Sequence, residues 1–290
     1  MTTGPEIQRL AAFTDVPQGG NPAGVVLDAT TLDEPAMQAI AAALGYSETA
    51  FITGADAGPD TKTYTIRYFS PLAEVPFCGH ATIATAVALA QRDGAGDLTL
   101  ATRSGPVTIR TERDEHGEVT ATLTSVAPHV EPAPAADADL ADVLRILGWA
   151  AADLDPALPP RVAFAGARHL ILAAQTRDRL ADLDYDFDAL KDYMSRRDLT
   201  TIDLVHRQDP TTFHARNPFP VGGVVEDPAT GAAAAAFGAY LRALGLVDPP
   251  ARVTVHQGED MGRPSLLLVD IDADPDSGIR VTGRAVEIAA

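Results

Sequence analysis

Apolar positions along the chain follow two periods that alternate from one end to the other. A strand over residues 23–27 follows the turn Gly19-Gly20-Asn21-Pro22. Over 33–44, Met37, Ile40, Ala41 and Leu44 recur at i, i+3, i+4 and i+7. That spacing predicts a helix, and Gly45 can end it in the left-handed conformation. Segments 49–52, 64–69, 98–101, 107–111 and 119–123 read as strands, with a turn at Glu115-His116-Gly117. In the second half, 140–147 and 189–197 read as helices. Segments 161–165, 170–174, 203–207, 211–215, 252–256 and 265–269 read as strands, and a last strand over 280–287 fits either half.

Two stretches break the alternation. Residues 80–90 and 230–240 are nearly free of charge, look helical, and each follows a turn containing proline. A helix apolar on every side has to be buried on every side. With many short strands around both, the sequence predicts an α+β fold of two pseudo-twofold-related half-barrels, each curled round a buried central helix. An ordinary α+β chain with two buried helices is the competing arrangement. Segment 128–139, rich in Pro, Ala and acid, reads as the junction. This gives an N-terminal half-barrel over 1–127, which the C-terminal strand 280–290 is free to join, and a C-terminal half-barrel over 128–279. A chain of 290 residues is long enough for both.

Composition narrows the function classes. Forty acidic against 22 basic residues leave a net charge of -18, a field that repels phosphate backbones, so no nucleic-acid partner is expected. The single cysteine, Cys78, excludes an internal disulfide and suits a reducing cytoplasm. Residues 1–10 are charged and lack the apolar core of a signal peptide. Segment 75–91 is uncharged, but Pro76, Gly79, His80, Thr82 and Thr85 make it a poor membrane span. A soluble, cytoplasmic protein is expected. His116, His129, His169, His206, His214 and His256 show no paired ligand spacing, and no glycine-rich phosphate loop is present. Neither a metal nor a nucleotide cofactor is therefore expected.

The candidate chemistry sits where the two apolar helices begin. One opens Pro76-Phe77-Cys78-Gly79-His80-Ala81-Thr82, the other Glu226-Asp227-Pro228-Ala229-Thr230-Gly231-Ala232. Small residues there leave the first backbone N–H groups open to a ligand, and the positive end of the helix dipole suits a carboxylate. Asp-Pro before a helix also serves as a simple cap, so either start alone is a weak signal.

These residues resemble the PhzF-like (phenazine-biosynthesis-like) proteins, relatives of diaminopimelate epimerase. The resemblance runs through Gly20-Asn21-Pro22, Ser47-Glu48-Thr49-Ala50-Phe51, Arg67-Tyr68-Phe69-Ser70-Pro71 and Glu74 to Thr82. It continues through Glu226 to Gly231, then Gln257-Gly258 and Met261-Gly262-Arg263-Pro264-Ser265. It implies two similar half-barrels, an active site between domains, no cofactor, a small anionic carboxylate substrate and a homodimer. Glu48 matches the family's general acid/base; it reads as buried, and burial raises a carboxyl pKa toward the range useful near neutrality. His80 and Asp227 match the active-site histidine and aspartate, and would orient the substrate or relay a proton. The plain structural roles are a helix-start residue bonded to backbone and an N-cap. Gly79 and Gly231 are the expected backbone donors to substrate. Asn21 either contacts substrate or shapes its turn, and the loop 262–265 is expected near the cleft. Ala232 stands where many family members carry serine, which leaves its backbone N–H but removes a hydroxyl.

Related epimerases and racemases work with two cysteines, one on each face of the reacting carbon. One cysteine cannot supply that pair, and by resemblance Pro228 fills the second thiol's place. Cys78 itself reads as a small buried packing residue. The leading expectation is a cofactor-independent isomerase with Glu48 as its acid/base. Its alternatives are a small-anion binding or regulatory protein on the same scaffold, and a one-base epimerase.

Overall fold

Helix α1 (Glu34–Leu44) shows how local chemistry sets the boundaries of the first elements. Asp33 accepts a hydrogen bond from the Ala36 N–H at 2.9 Å, and Gly45 ends the helix at φ 69°. The computed structural model describes residues 5–58, 61–132 and 137–289. The chain divides into two units, Met1–Thr124 with Thr282–Ala290, and Ser125–Val281.

In the first unit β1 (Gln8–Ala12) pairs antiparallel with β2 (Asn21–Val26), and α1 (Glu34–Leu44) leads to β3 (Glu48–Gly58), parallel to β2. β4 (Thr61–Phe69) returns antiparallel, and the two-residue β5 (Glu74–Val75) folds back on it before α2 (Gly79–Asp93). β6 (Gly96–Thr102) lies parallel to β4, and β7 (Gly105–Arg113) and β8 (Val119–Thr124) continue antiparallel. The C-terminal strand (Arg280–Glu287) pairs with both β8 and β1, so the ladder closes on itself. Inside lies α2, with every residue from His80 to Ala90 buried. Its threonines are satisfied within the helix: Thr82 Oγ1 donates to the Cys78 carbonyl at 2.6 Å and Thr85 Oγ1 to that of Ala81 at 2.7 Å. Outside, α1 lays Met37 and Ala41 on Val26, Phe51 and Phe69. β1 went unread in the sequence, where it merges with the charged N-terminus, of which residues 1–4 lie outside the described residues.

In the second unit, residues 129–132, read as part of a linker, form β9 (His129–Pro132), followed by α3 (Asp137–Ile146); 133–136 lie outside the described residues. β9 pairs with β10 (Arg161–Phe164) despite its proline, and Arg168 grips Glu131 through both guanidinium nitrogens at 2.9 and 3.2 Å. Strands β10 and β11 (Arg168–Ala173) are followed by helices α4 (Arg177–Ala181) and α5 (Phe187–Ser195). Then come β12 (Thr201–Asp209), β13 (Thr212–Pro218), the short β14 (Glu226–Asp227), α6 (Gly231–Ala243), β15 (Ala251–Gln257) and β16 (Ser265–Ile271). α6 packs on β9, β10, β11, β12 and β16 and is buried almost throughout. It runs so close to the sheet that a Cβ on Gly238 would lie 2.8 Å from Val269 and Ile279. α3 and α5 form the outer layer, with Val143, Leu147, Leu190 and Met194 against Leu170 and Ile202. Among the described residues no helix is long and apolar enough to cross a membrane.

The two units repeat one another. From β1 to β7 the pairings run antiparallel, parallel, antiparallel, parallel, antiparallel, and from β10 to β16 the same series recurs. An ion pair recurs too, partly buried in the first unit and buried in the second. Arg67 on β4 bonds Glu74 on β5 at 2.7 and 2.6 Å, and Arg216 on β13 bonds Glu226 on β14 at 2.9 and 2.6 Å. Both glutamates stand five residues before a central helix's first residue. The pairs hold the short strands that aim the helix starts, and the Arg67 guanidinium keeps the Glu74 carboxyl below its usual range.

A buried polar chain crosses β11, β12 and β13. Asn217 Nδ2 donates to Asp203 at 3.1 Å, Thr201 Oγ1 donates to Asn217 Oδ1 at 2.6 Å, and His169 Nδ1 lies 2.8 Å from Thr201 Oγ1. Burial pushes the Asp203 carboxyl up to about 7 and the His169 imidazole down to about 3.

Two outcomes follow for stability. Arg216→Ala leaves Glu226 buried without its partner and lowers unfolding free energy by about 3–5 kcal/mol in a urea titration. Arg67→Ala lowers it less, because Arg103 also reaches Glu74, at 2.8 Å. For Asp203, the folded state holds a proton between about pH 4 and 7 that the unfolded chain releases. Its contribution to stability therefore falls as pH rises through that window and stays low above it. His169 acts oppositely: stability is lost as pH falls from about 6.5 toward 3, where only the unfolded chain takes up the proton. Asp203→Asn raises Tm at pH 8 and leaves it near the parent value at pH 4, read by scanning calorimetry.

Candidate active site

Three chain segments of the first unit converge on one cluster. Gly20 adopts φ 64°, and a Cβ there would lie 2.3 Å from the Ala12 carbonyl oxygen, so glycine is required for the turn that delivers Asn21 to the start of β2. Gly45 stops α1 three residues before Glu48, which opens β3 opposite Ala23. Past the Arg67–Glu74 pair, Cys78 is the extended N-cap of α2, and Gly79 and His80 begin the helix.

The side chains meet around His80, which is 6% exposed. Asn21 Nδ2 lies 3.1 Å from His80 Nδ1, while His80 Nε2 is 3.5 Å from Glu48 Oε2 and 3.4 Å from Ser47 Oγ. The Cys78 thiol donates to Glu48 Oε2 at 3.5 Å and its sulfur is 3.3 Å from His80 Nδ1. An amide N–H facing Nδ1 makes that nitrogen the acceptor, which assigns the ring proton to Nε2, toward Glu48. The Glu48 side chain, read from sequence as buried, is 17% exposed: one carboxylate oxygen faces the cluster and solvent still reaches the group. A Cβ on Gly79 would meet nothing within 4 Å, so packing does not explain the glycine. The first N–H groups of α2 have no acceptor within the helix.

In the second unit the start of α6 is built by Gln257 at the end of β15. Its Nε2 donates to the Asp227 carbonyl at 2.7 Å and to Thr230 Oγ1 at 3.0 Å, while its Oε1 accepts from the Thr230 N–H at 3.0 Å. Thr230 Oγ1 donates in turn to Asp227 Oδ2 at 2.6 Å. The N-cap of α6 is thus Thr230, and Asp227, 8% exposed, is held from the side rather than capping the helix. Gly231 opens the helix and Ala232 follows, half-buried. Gly258 lies so close to the loop before β16 that a Cβ would meet the Arg263 carbonyl at 2.4 Å and that of Pro228 at 2.7 Å. Counted from the Arg–Glu pairs and the helix starts, the residue corresponding to Cys78 is Thr230; Pro228 stands two places earlier. Neither is a thiol, and Cys78 remains the one cysteine of the sequence.

The family profile of phenazine biosynthesis-like proteins matches residues 10–290. The chain belongs to this family. It is an isomerase, as its relatives are named. An Escherichia coli K12 isomerase, YddE, is 32% identical over 97% of this chain and 96% of its own. The trans-2,3-dihydro-3-hydroxyanthranilate isomerase of Pseudomonas fluorescens is 31% identical over 95% and 94%. A crystal structure of a PhzF-family protein from Bacillus anthracis superposes with TM-score 0.84 at 27% identity, covering 98% of this chain and 96% of the other. A proline racemase-type structure from Agrobacterium radiobacter, at TM-score 0.64 and 12% identity, shares the fold alone.

Within the family motifs, sequence reasoning overlooked three contributions. Ser47 touches His80, Gln257 assembles the α6 start, and the Cys78 sulfur faces Glu48 and His80 rather than only filling space. Ser47 and Gln257 stand inside matching motifs, which was the available signal. The six histidines other than His80 show no paired ligand spacing along the chain, whereas the fold brings ligand atoms of Glu48, Cys78 and His80 within 4.8 Å of one another. The tautomer is open to measurement. In nitrogen-15 NMR at neutral pH, His80 Nε2 is expected to resonate as a protonated ring nitrogen and Nδ1 as an unprotonated one; Asn21→Leu removes the preference.

Proposed function

We propose that Glu48 is the acid/base of a cofactor-independent isomerase that moves a proton within a small carboxylate substrate. The observation that carries this reading is the Glu48 carboxylate, partly open to solvent, 3.5 Å from His80 Nε2 and 3.5 Å from the Cys78 sulfur. The carboxylate takes a proton from an activated carbon and returns it to another carbon of the conjugated system. No electron sink is needed, because the electrons stay within the substrate's own double bonds. The Nε2–H of His80 orients Glu48, and Asn21 orients His80. The N–H groups at Gly79 face the substrate carboxylate and stabilise charge as it develops.

In the second unit, we assign Asp227 to the substrate's polar groups and the N–H groups of Gly231 and Ala232 to its anion, on the strength of the family motif. Substrates of the dihydro-hydroxyanthranilate kind, named for the Pseudomonas fluorescens relative, are the first to try, and a cytoplasmic homodimer is the form we expect to act on them.

In deuterium oxide, the wild-type protein is expected to incorporate solvent deuterium at carbon during turnover. Glu48→Gln is expected to lower kcat by about 10²- to 10⁴-fold. Normal turnover by that variant ends the mechanism. Deuterium at a stereocentre with loss of optical rotation marks a one-base epimerase instead.

A further inference from the structure

We infer that Gln257 is a positioning residue for Asp227: it fixes the direction of the Thr230 hydroxyl and so holds the Asp227 carboxylate as a hydrogen-bond acceptor. Two backbone groups force every proton of this network. The Thr230 N–H can only donate, so the Gln257 side-chain atom 3.0 Å from it is the carbonyl oxygen. The Asp227 carbonyl can only accept, so the atom 2.7 Å from it is the amide nitrogen. That nitrogen has a second hydrogen and lies 3.0 Å from Thr230 Oγ1, which therefore accepts. The one hydroxyl hydrogen of Thr230 then goes to Asp227 Oδ2, 2.6 Å away. An oxygen that receives this hydrogen does not carry a proton of its own. At 1% exposure Gln257 is shielded from solvent, which strengthens each bond it makes.

The fold does not need this network to start a central helix. By strand register, the first-unit counterpart of Gln257 is Thr102 on β6, and that of Asp227 is Val75 on β5. Thr102 turns into its own hairpin, donating to the Gly105 carbonyl at 2.7 Å and accepting from the Ser104 N–H at 3.1 Å. Helix α2 nevertheless begins at Gly79 as α6 does at Gly231. Amide and carboxylate thus occur together in one unit, and neither stands at the matching position of the other. This ties Gln257 to what Asp227 does rather than to building a helix start. The network also separates an amide from an acid of the same size. In Gln257→Glu the oxygen that replaces Nε2 has no hydrogen to give. It repels the Asp227 carbonyl and draws the Thr230 hydroxyl hydrogen to itself, away from Asp227.

The effect on turnover rests on the function proposed above, in which Asp227 meets the substrate; the hydrogen-bond directions do not. In full-length protein labelled with carbon-13 and nitrogen-15, without substrate, NMR is expected to show two scalar couplings across hydrogen bonds. One runs from Gln257 Nε2 to the Asp227 carbonyl carbon, the other from the Thr230 hydroxyl proton to Asp227 Cγ. A reversed amide, or a Thr230 hydroxyl that exchanges with water too fast to be seen, overturns the inference. With trans-2,3-dihydro-3-hydroxyanthranilate, the probe put forward above, Gln257→Glu and Thr230→Val are expected to raise KM about 10- to 100-fold and to change kcat less. Thr230→Ser keeps the hydroxyl and is expected to restore KM to within about threefold of the parent. In an Asp227→Asn background, Gln257→Glu is expected to add less than about threefold, because a residue that acts through Asp227 has nothing left to act on. Additive losses, or a parental KM in Gln257→Glu, overturn the positioning role. Circular-dichroism melting of each variant identifies loss of folding, and Thr230→Val decides if the buried charge of Gln257→Glu prevents it. A parent inactive on this compound fails the substrate reading and leaves the couplings to decide the inference.

Discussion

The structure depends on two helices that have no polar face. α2 and α6 cannot lie on a surface, so each half of the chain must bend its strands round one of them. This explains why the strands are short, why the outward sides carry second layers of helix, and why parallel and antiparallel pairings alternate identically in both halves. It also fixes where chemistry can occur. A fully enclosed helix offers ligands only its end, and here the N-terminal ends carry glycine, small residues and the Arg–Glu pairs that aim them.

Much of the fold could be read from the chain because its signals are local. The Asp33 cap, the Gly45 stop and the apolar runs at 80–90 and 230–240 each state their own structure. The missed elements are the ones whose existence depends on a partner. β5 and β14 have two residues each and no pattern of their own, and β9, which follows Pro128 and ends on Pro132, becomes a strand by pairing with β10. The site divides in the same way. Glu48, His80 and Asp227 were accessible through motif, whereas the facing of Cys78 toward Glu48, or of Gln257 toward Thr230, arises from backbone geometry set by distant strands.

Repetition of the framework contrasts with divergence of what it carries. Phe51 opposite Arg67 and Leu204 opposite Arg216 align the two units, which makes Thr201 the counterpart of Glu48 and Thr230 that of Cys78. One unit therefore places a carboxylate and a thiol where the other places two hydroxyls. Around Thr201 the polar groups are closed into a buried chain ending at Asp203, while around Glu48 they remain within reach of solvent. The same scaffold thus hosts an open reactive cluster in one copy and a sealed polar core in the other.

The closure of the first unit by the C-terminal strand has a consequence for biosynthesis. β1 leaves the ribosome well before the strand that joins it to β8. Until that strand emerges, the nascent first unit exposes two unsatisfied strand edges, while the second unit is synthesised in between. Vectorial synthesis therefore favours maturation of the later-encoded unit before the earlier one, and Glu48 reaches a finished barrel only once the closing strand has followed the second unit out of the ribosome.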